Sequence, residues 1–396
     1  MAPSRARRQR PDTFLTSSLK RTATAIALTL LGTNAFADEA TRAVVDAVVE
    51  PLMVEHDVPG LSVAILHDGE RQIFHYGVAS RDTGRPVDDD TLFEIGSLSK
   101  PFTGTLLAHL ETTGAVDLSA TAQSVLPALQ DTEIGGASLR DLLTYTAGGL
   151  PLQFPDGVDA TTFEAFYGTF EPTAEIGASR LYSNPSIGLA GHLAGVSAGE
   201  DFATLMSDHI LRPVGLDDTF LTVPENRRED YAQGYTRDNA PVRVNPGLFD
   251  AQAYGIKTTA SDFLRFVEAS IAPENDLQQA AETARSGVYR VDAMHQGYGW
   301  ELYPAPARLP DLLQGADPAF VLEPNAVERP ASSVTGAMVG TVSKTGSTGG
   351  FGAYALFQPE RGTGIVILAN RFWPNPARIE AAYEILSELD PEFAAR

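Results

Sequence analysis

The sequence has 396 residues, and its 51 acidic residues against 29 basic ones give a formal net charge of −22 at pH 7. A surface this negative repels phosphate backbones, which excludes the nucleic-acid-binding classes. The chain contains no cysteine, and this excludes a thiol nucleophile, a disulfide framework and a cysteine-ligated metal.

The first 37 residues have the pattern of an export signal. A basic start is followed by a short apolar run over residues 23–32, and Ala35-Phe36-Ala37 offers a cleavage site before Asp38. The apolar run is shorter than the roughly 20 residues that span a bilayer. We predict a cleaved signal peptide over residues 1–37 and a periplasmic protein, with a retained membrane anchor as the alternative. Cleavage would leave 23 basic and 50 acidic residues, a net charge of −27.

Three elements are predicted ahead of the first motif. Residues 38–58 carry apolar side chains at helical spacing. Residues 61–67 and 71–78 are rich in strand formers and are joined by Asp68-Gly69, a hairpin signal. His67 and His75 could meet across this hairpin as a cross-strand pair, and the seven histidines show no metal-ligand spacing.

The run from Gly96 to Lys100 places Ser97 three residues before a lysine, at the start of a helical pattern. Residues three apart share a helix face, so the Lys100 amine would lie beside the Ser97 hydroxyl. A serine needs an adjacent base to be a good nucleophile, and a buried lysine can supply one where arginine cannot. The chain has only four lysines against 25 arginines. Taken alone, the motif also fits a helix cap beside a solvated lysine.

A second motif, Tyr182-Ser183-Asn184, lies in a predicted loop that runs into a helix. Two nearby ammonium groups would lower the pKa of the Tyr182 phenol and make its oxygen a proton shuttle. The Asn184 amide can hold a substrate carbonyl. Taken alone, this motif also fits a half-buried tyrosine in a turn.

Residues 342–347, 353–358 and 363–370 are predicted strands, and the first of them carries Lys344-Thr345-Gly346-Ser347. Because Gly346 has no side chain, a substrate can lie along the strand edge as an added strand. Lys344 and Thr345 can attract a substrate carboxylate, and the Ser347 N–H can stabilise an oxyanion. A glycine-rich hairpin with a surface lysine is the alternative interpretation.

These elements predict an α+β fold. Strands at both chain ends would form one antiparallel sheet, flanked by terminal helices, with a mostly helical subdomain inserted between them. We expect residues 38–396 to form a single catalytic domain. A ligand site would lie in the cleft where the sheet and the helical part meet.

The three motifs, in this order, make the chain similar to the class C (AmpC-type) serine β-lactamases over essentially its whole mature length. The Ser-x-x-Lys and Lys-Thr-Gly motifs are shared with class A enzymes and penicillin-binding proteins. The Tyr-x-Asn motif and the flanking sequence blocks point more narrowly to class C. Those blocks are residues 144–153, 253–255, 296–301, 368–370 and 374–376.

The resemblance implies a role for each matching residue. Ser97 would attack the lactam carbonyl, Lys100 and Tyr182 would move its proton, and Tyr182, alone or with the acyl-enzyme, would activate the deacylating water. The Ser97 and Ser347 N–H groups would form the oxyanion hole. The remaining residues would bind substrate: Gln153 and Asn184 at the acylamino side chain, Tyr254 on the pocket wall, and Lys344, Thr345 and Asn375 on the carboxylate side.

The resemblance also implies a monomeric enzyme that needs no metal or organic cofactor and acts on a small β-lactam. Three positions depart from the family: Ser343 stands where histidine is common, Pro101 where threonine is common, and Phe372 where a polar residue is common. The first could shift carboxylate affinity and the last the substrate profile. The alternatives are a related carboxylesterase or D-amino-acid peptidase, and a penicillin-binding sensor that acylates without turnover.

Overall fold

The fold is taken from a computed structural model that describes residues 39–272, 276–306, 308–329 and 340–394. Residues from Val45 onward form one compact unit. The predicted signal peptide lies outside the described residues.

An antiparallel sheet of eight strands carries the architecture. The eight strands are β1 (Gly60–His67), β2 (Glu70–Gly77), β9 (Tyr289–Val291), β10 (Met294–Gln296), β11 (Glu301–Tyr303), β13 (Thr341–Ser347), β14 (Gly352–Gln358) and β15 (Thr363–Ala369). Their spatial order is β2-β1-β15-β14-β13-β11-β10-β9. Strands from the two chain ends therefore lie side by side, where β1 pairs with β15. The described part of the chain contains seven further strands of two residues each: β3 (Phe93–Glu94), β4 (Ser179–Arg180), β5 (Thr219–Phe220), β6 (Gly234–Tyr235), β7 (Pro241–Val242), β8 (Lys257–Thr258) and β12 (Asn325–Ala326).

Helices pack on both faces of this sheet. A Cβ on Gly352 would touch Trp373 and Arg378, whereas one on Gly364 would touch Val267. The register pairs Gly352 with Ala369 and Gly364 with Phe357, so the two glycines point to opposite faces. Helix α14 (Asn375–Leu389) therefore covers one face and helix α10 (Ala260–Ile271) the other.

The region between the chain ends is mostly helical, as predicted. Helix α2 (Ser99–Thr112) runs through its centre and buries most of its residues. The other helices are α1 (39–55), α3 (Ala122–Val125), α4 (Leu139–Leu143), α5 (Phe163–Gly168), α6 (Asn184–Ala198), α7 (Phe202–Met206), α8 (Arg212–Val214), α9 (Asp250–Ala253), α11 (Asp276–Ala284), α12 (Leu309–Gly315) and α13 (Pro318–Leu322).

The predicted α+β class is confirmed, with one correction. Strands β9, β10 and β11 belong to the main sheet although they come from the stretch predicted to be helical and loop-rich. Each strand has only three residues, too few for an alternating pattern to be recognised. The sheet is therefore not built from the chain ends alone.

The first hairpin forms where it was predicted, but its register corrects one expectation. Asp68 and Gly69 both have positive φ, which fits a two-residue turn of the primed type. The register pairs His67 with Glu70 and His75 with Ser62. The two histidines are therefore not opposite each other, and the predicted His67–His75 pair is wrong.

Within the described ranges, no helix combines the length and the apolar character needed to cross a membrane.

Candidate active site

Ser97 lies in a single 3-10 turn, Gly96–Leu98, directly before α2. This turn places Lys100 in the first turn of the helix, and its Nζ donates to Ser97 Oγ at 3.0 Å and to the Ala253 carbonyl at 2.7 Å. Lys100 is fully buried, and burial lowers the pKa of its ammonium group. The predicted contact between serine and lysine therefore exists, and the lysine is set up to accept a proton.

Tyr182 lies in the loop before α6, where the Ser183 side chain caps the helix by accepting the Ser186 N–H. The Nζ atoms of Lys100 and Lys344 are each 5.0 Å from the centre of the Tyr182 ring. Burial alone would raise the pKa of the Tyr182 phenol, but the charges of these two ammonium groups outweigh it, so the pKa is lowered. The predicted direction of this shift agrees with the structure.

Lys344 forms a buried ion pair that the sequence did not predict. Its Nζ is 3.1 Å from Glu301 Oε1, and the two side chains are 4% and 6% exposed. Burial favours the neutral amine, but the negative charge of Glu301 raises the pKa of Lys344 above its usual value. The pKa of Lys344 is therefore shifted in the opposite direction to that of Lys100.

The two candidate oxyanion donors come from segments that touch through glycines. A Cβ on Gly96 would lie 2.5 Å from the Ser347 nitrogen, and a Cβ on Gly346 would lie 2.0 Å from the Ile95 carbonyl oxygen. No side chain fits at either position. The close approach brings the backbone around Ser97 against the backbone around Ser347, as an oxyanion hole between two segments requires.

The edge of β13 beside the nucleophile is open to a ligand. Strand β11 pairs with β13 only as far as the Glu301–Ser343 pair. Beyond it the chain turns away at Gly299, which has a φ of 83° and packs on the Lys100 backbone. Residues 344–347 therefore have no strand partner on this side among the described residues, which suits an added substrate strand.

A cavity of about 500 Å³ opens at this point and brings most of the predicted residues together. Nine of them line it: Ser97, Gln153, Tyr182, Asn184, Tyr254, Lys344, Thr345, Ser347 and Asn375. The other two, Lys100 and Gly346, lie behind the wall, where they contact Ser97 and Ile95 respectively. The wall also contains residues that sequence reasoning missed: Leu152, Val244, Glu301, Val321, Thr348 and Gly349.

Two fully buried arginines support this wall. The Arg378 Nη1 donates to the Gly346 carbonyl at 2.7 Å and to Ser347 Oγ at 3.0 Å. The Arg180 Nε donates to Gln296 Oε1 at 2.9 Å, and its guanidinium carbon is 5.7 Å from the Tyr182 ring centre. Both arginines fall inside or beside recognised sequence blocks, but nothing in the local pattern shows what they contact.

Two of the three departures from the family, Ser343 and Phe372, can be located relative to the cavity. Ser343 is buried in β13 opposite Glu301, next to the Lys344 ion pair. Phe372 is not among the cavity-lining residues, and its ring lies 4.5 Å from the Arg237 guanidinium carbon. Lys257, the remaining lysine of the predicted mature chain, donates to the Leu221 carbonyl at 3.1 Å and is a structural contact.

A hydrogen-bonded serine–histidine–aspartate chain lies away from this cavity. The Ser62 Oγ is 2.9 Å from His75 Nδ1, and His75 Nε2 is 2.9 Å from Asp89 Oδ1. Ser62 is fully buried within β1, so no substrate can reach its hydroxyl. Within the described part of the chain, no group of three or more histidine and carboxylate side chains is arranged to hold a metal ion.

The antiparallel sheet, the helical insertion and the Ser97–Lys100–Tyr182–Lys344 cluster define the class of serine acyl-transfer enzymes of the β-lactamase and transpeptidase type. The Beta-lactamase family model matches residues 45–390. The chain belongs to the β-lactamase family.

Several characterised proteins are similar to this chain. A β-lactamase of Pseudomonas fluorescens is 48% identical over 353 residues, which are 88% of this chain and 99% of the relative. A crystal structure named β-lactamase/D-alanine carboxypeptidase, from Pseudomonas syringae, is 39% identical with a TM-score of 0.86, over 89% of this chain and 100% of the other. A class C β-lactamase in complex with cefoxitin is 34% identical with a TM-score of 0.85, over 89% of this chain and 99% of the other.

Proposed function

We propose that this protein is a class C serine β-lactamase, of the cephalosporinase type, which opens the lactam ring through an acyl-enzyme on Ser97. The observation that carries the proposal is the contact between Ser97 and the buried Lys100. Both residues lie next to Tyr182 and to the open edge of β13. The family relationship supports the same conclusion.

The acylation step follows from the positions of the side chains. The Ser97 oxygen attacks the lactam carbonyl carbon, and its proton passes to the Lys100 amine or the Tyr182 phenolate. The tetrahedral oxyanion accepts hydrogen bonds from the N–H groups of Ser97 and Ser347. When the carbon–nitrogen bond breaks, the lactam nitrogen takes the proton back from the Lys100–Tyr182 pair, leaving a Ser97 ester.

The deacylation step uses the lowered pKa of Tyr182. A water attacks the ester carbonyl carbon while the Tyr182 phenolate accepts its proton. The ester bond to Ser97 then breaks, and the serine oxygen regains a proton from Tyr182. Lys100 and Lys344 favour the phenolate because both ammonium charges lie near its ring.

The substrate would bind with its acylamino side chain toward Gln153 and Asn184, and Tyr254 would form part of the pocket wall. The Asn184 Oδ1 is buried and has no hydrogen-bond partner among the described residues, so it is available to a substrate amide. Thr345 and Asn375 would face the substrate carboxylate together with the Lys344 ammonium group. Gly346 would leave room for the substrate along the strand.

A D-alanine carboxypeptidase is a second candidate, because one solved relative carries that name beside β-lactamase. Rapid mixing with a chromogenic cephalosporin tests the choice. Many turnovers per enzyme support a β-lactamase. A burst of one equivalent that then stops indicates a penicillin-binding sensor. No burst, with activity on a D-alanyl-D-alanine peptide or a short-chain ester, indicates the peptidase or esterase and contradicts the proposal.

The first prediction concerns the nucleophile. Ser97→Ala should abolish covalent capture of a β-lactam, seen as the loss of the adduct in intact-protein mass spectrometry, without changing the circular dichroism spectrum. The matched control is Ser62→Ala, which removes the buried hydroxyl that contacts His75. This variant should still form the adduct. An adduct in Ser97→Ala would move the nucleophile elsewhere.

We further propose that the protein is exported, cleaved after Ala37, and monomeric in the periplasm. The basic start, short apolar run and small-residue site of residues 1–37 support this assignment. N-terminal sequencing of the periplasmic fraction should begin at Asp38, and sedimentation should give the mass of one chain. An uncleaved protein in the membrane fraction would contradict the proposal.

A further inference from the structure

Glu94 is a buried carboxylate at the entrance to the nucleophile turn. It is 1% exposed and is the second residue of β3, three positions before Ser97. A carboxylate removed from water is stable only where its oxygens accept several hydrogen bonds. The groups that bind Glu94 therefore indicate which segments its hydrogen bonds hold in place.

The two oxygens of Glu94 bind three separate segments of the chain. Oε1 accepts the Tyr231 hydroxyl and the Val244 N–H, the latter at 2.8 Å, and Oε2 accepts the Thr348 hydroxyl. Val244 and Thr348 both line the active-site cavity. One side chain thus connects the nucleophile segment to two other walls of the site.

Thr348 is the important partner because it directly follows Ser347. The two candidate oxyanion donors, the N–H groups of Ser97 and Ser347, belong to segments that are far apart in sequence. Donors of this kind act only at hydrogen-bond distance from the developing charge. A small displacement of either donor therefore lowers the reaction rate strongly. The hydrogen bond between Glu94 and Thr348 spans these two segments.

We propose that Glu94 is a positioning residue that fixes the spacing of the two oxyanion donors. The role rests on the proposed function, since it concerns the acylation of Ser97. Glu94 acts through Thr348 and Val244 and touches no reacting atom. Its hydrogen bonds carry the effect; its proximity to Lys257, its partner in the β3–β8 register, does not.

Two substitutions at Glu94 separate hydrogen bonding from charge. In Glu94→Gln, the amide oxygen can still accept from Tyr231 and Val244, and the amide nitrogen can donate to the Thr348 hydroxyl, which is also an acceptor. In Glu94→Ala, all three donors lose their acceptor. Thr348→Val removes only the link to the strand that carries Ser347.

The experiment measures kcat/KM for a chromogenic cephalosporin, the affinity for a phenylboronic acid and the Tm of each variant. The boronic acid forms a tetrahedral adduct with serine and so reports on the oxyanion hole. Glu94→Ala and Thr348→Val should each lower kcat/KM and boronic acid affinity about tenfold or more, a part of the full effect of losing one oxyanion donor. Glu94→Gln should stay within about threefold of the wild type.

The matched control is Asp262→Ala. Asp262 is another buried carboxylate, 4% exposed, which accepts the Asp218 N–H and the Thr219 hydroxyl and does not line this cavity. The Asp262→Ala substitution should lower the Tm without changing kcat/KM. Equal losses of kcat/KM in Glu94→Ala and Asp262→Ala would reduce Glu94 to a stabilising residue and overturn the proposal.

The remaining outcomes are equally decisive. A Glu94→Gln variant as impaired as Glu94→Ala would assign the effect to charge and overturn the proposal. If Glu94→Ala does not fold, unchanged kcat/KM and boronic acid affinity in Thr348→Val would overturn it. A wild-type enzyme that neither turns over the cephalosporin nor forms a Ser97 adduct would instead contradict the proposed function.

Discussion

At the scale of single residues, the two lysines of the site have opposite electrostatic surroundings. Lys100 is buried and contacts no carboxylate among the described residues, and burial lowers its pKa. Lys344 is equally buried but pairs with Glu301, and its pKa is raised. The site therefore contains one lysine able to take a proton and one fixed positive charge, two different uses of the same residue type.

The lowered pKa of Tyr182 predicts an early tyrosinate signal. Because two ammonium groups stabilise the phenolate, the first ultraviolet tyrosinate absorbance should appear below pH 10 and be absent in Tyr182→Phe. Lys344→Gln should move it to higher pH, since one of the two charges is lost. Tyr167→Phe is the control, because burial raises the pKa of Tyr167. An unchanged early signal in Tyr182→Phe would contradict the assignment.

At the scale of elements, the site depends on how closely the nucleophile turn meets β13. Gly96 has a φ of 52°, and a Cβ there would lie 2.4 Å from the Ser347 carbonyl oxygen. Behind the strand, the buried Arg378 of α14 holds the Gly346 carbonyl and the Ser347 hydroxyl. The strand is thus fixed from two sides.

Gly96→Ala should therefore separate the two segments. We expect a fall in kcat/KM of about 100-fold or more and a loss of about 1–3 kcal/mol in the free energy of unfolding, measured by steady-state kinetics and urea unfolding. Gly114→Ala is the matched control, with a φ of 76° but nothing within 4 Å of its Cβ. Gly114→Ala should lower the free energy of unfolding by about 1 kcal/mol and leave kcat/KM unchanged. Full activity in Gly96→Ala would show that this contact is not needed.

At the scale of the whole molecule, the dominant feature is charge. The 51 acidic residues against 29 basic ones make the folded protein repel itself. Ion pairs such as Arg361–Asp390 offset part of this repulsion, but exposed pairs each contribute little. Salt should therefore stabilise the fold by screening the repulsion.

The expected result is a Tm that rises by about 3–6 °C between roughly 0.01 M and 0.5 M NaCl. Differential scanning calorimetry of the mature chain measures it. Sucrose at equal osmolality is the control, because it stabilises proteins without screening charge. A Tm that is flat or falls with salt would mean that attractive ion pairs outweigh the net repulsion.

The sequence by itself determined most of what depends on near neighbours. The three-residue spacing placed Lys100 against Ser97 because a helical turn brings such residues together. The Asp68-Gly69 turn and the long central strands followed from local preferences in the same way. The motifs supplied Tyr182, Asn184 and residues 344–347, and the resemblance added Gln153, Tyr254 and Asn375, all three of which line one cavity with Ser97.

Only the tertiary structure decided which distant residues complete the site. Glu301, Arg378 and Glu94 each act on segments far away in the chain, and no local periodicity encodes such a contact. The same holds for the short strands β9–β11, which exist because neighbouring strands supply their hydrogen bonds. The His67–His75 expectation failed for a different, local reason: the two-residue Asp68-Gly69 turn sets a register that pairs His67 with Glu70 and His75 with Ser62. Local chemistry thus fixed the nucleophile and its base, whereas long-range packing fixed the charges and the walls around them.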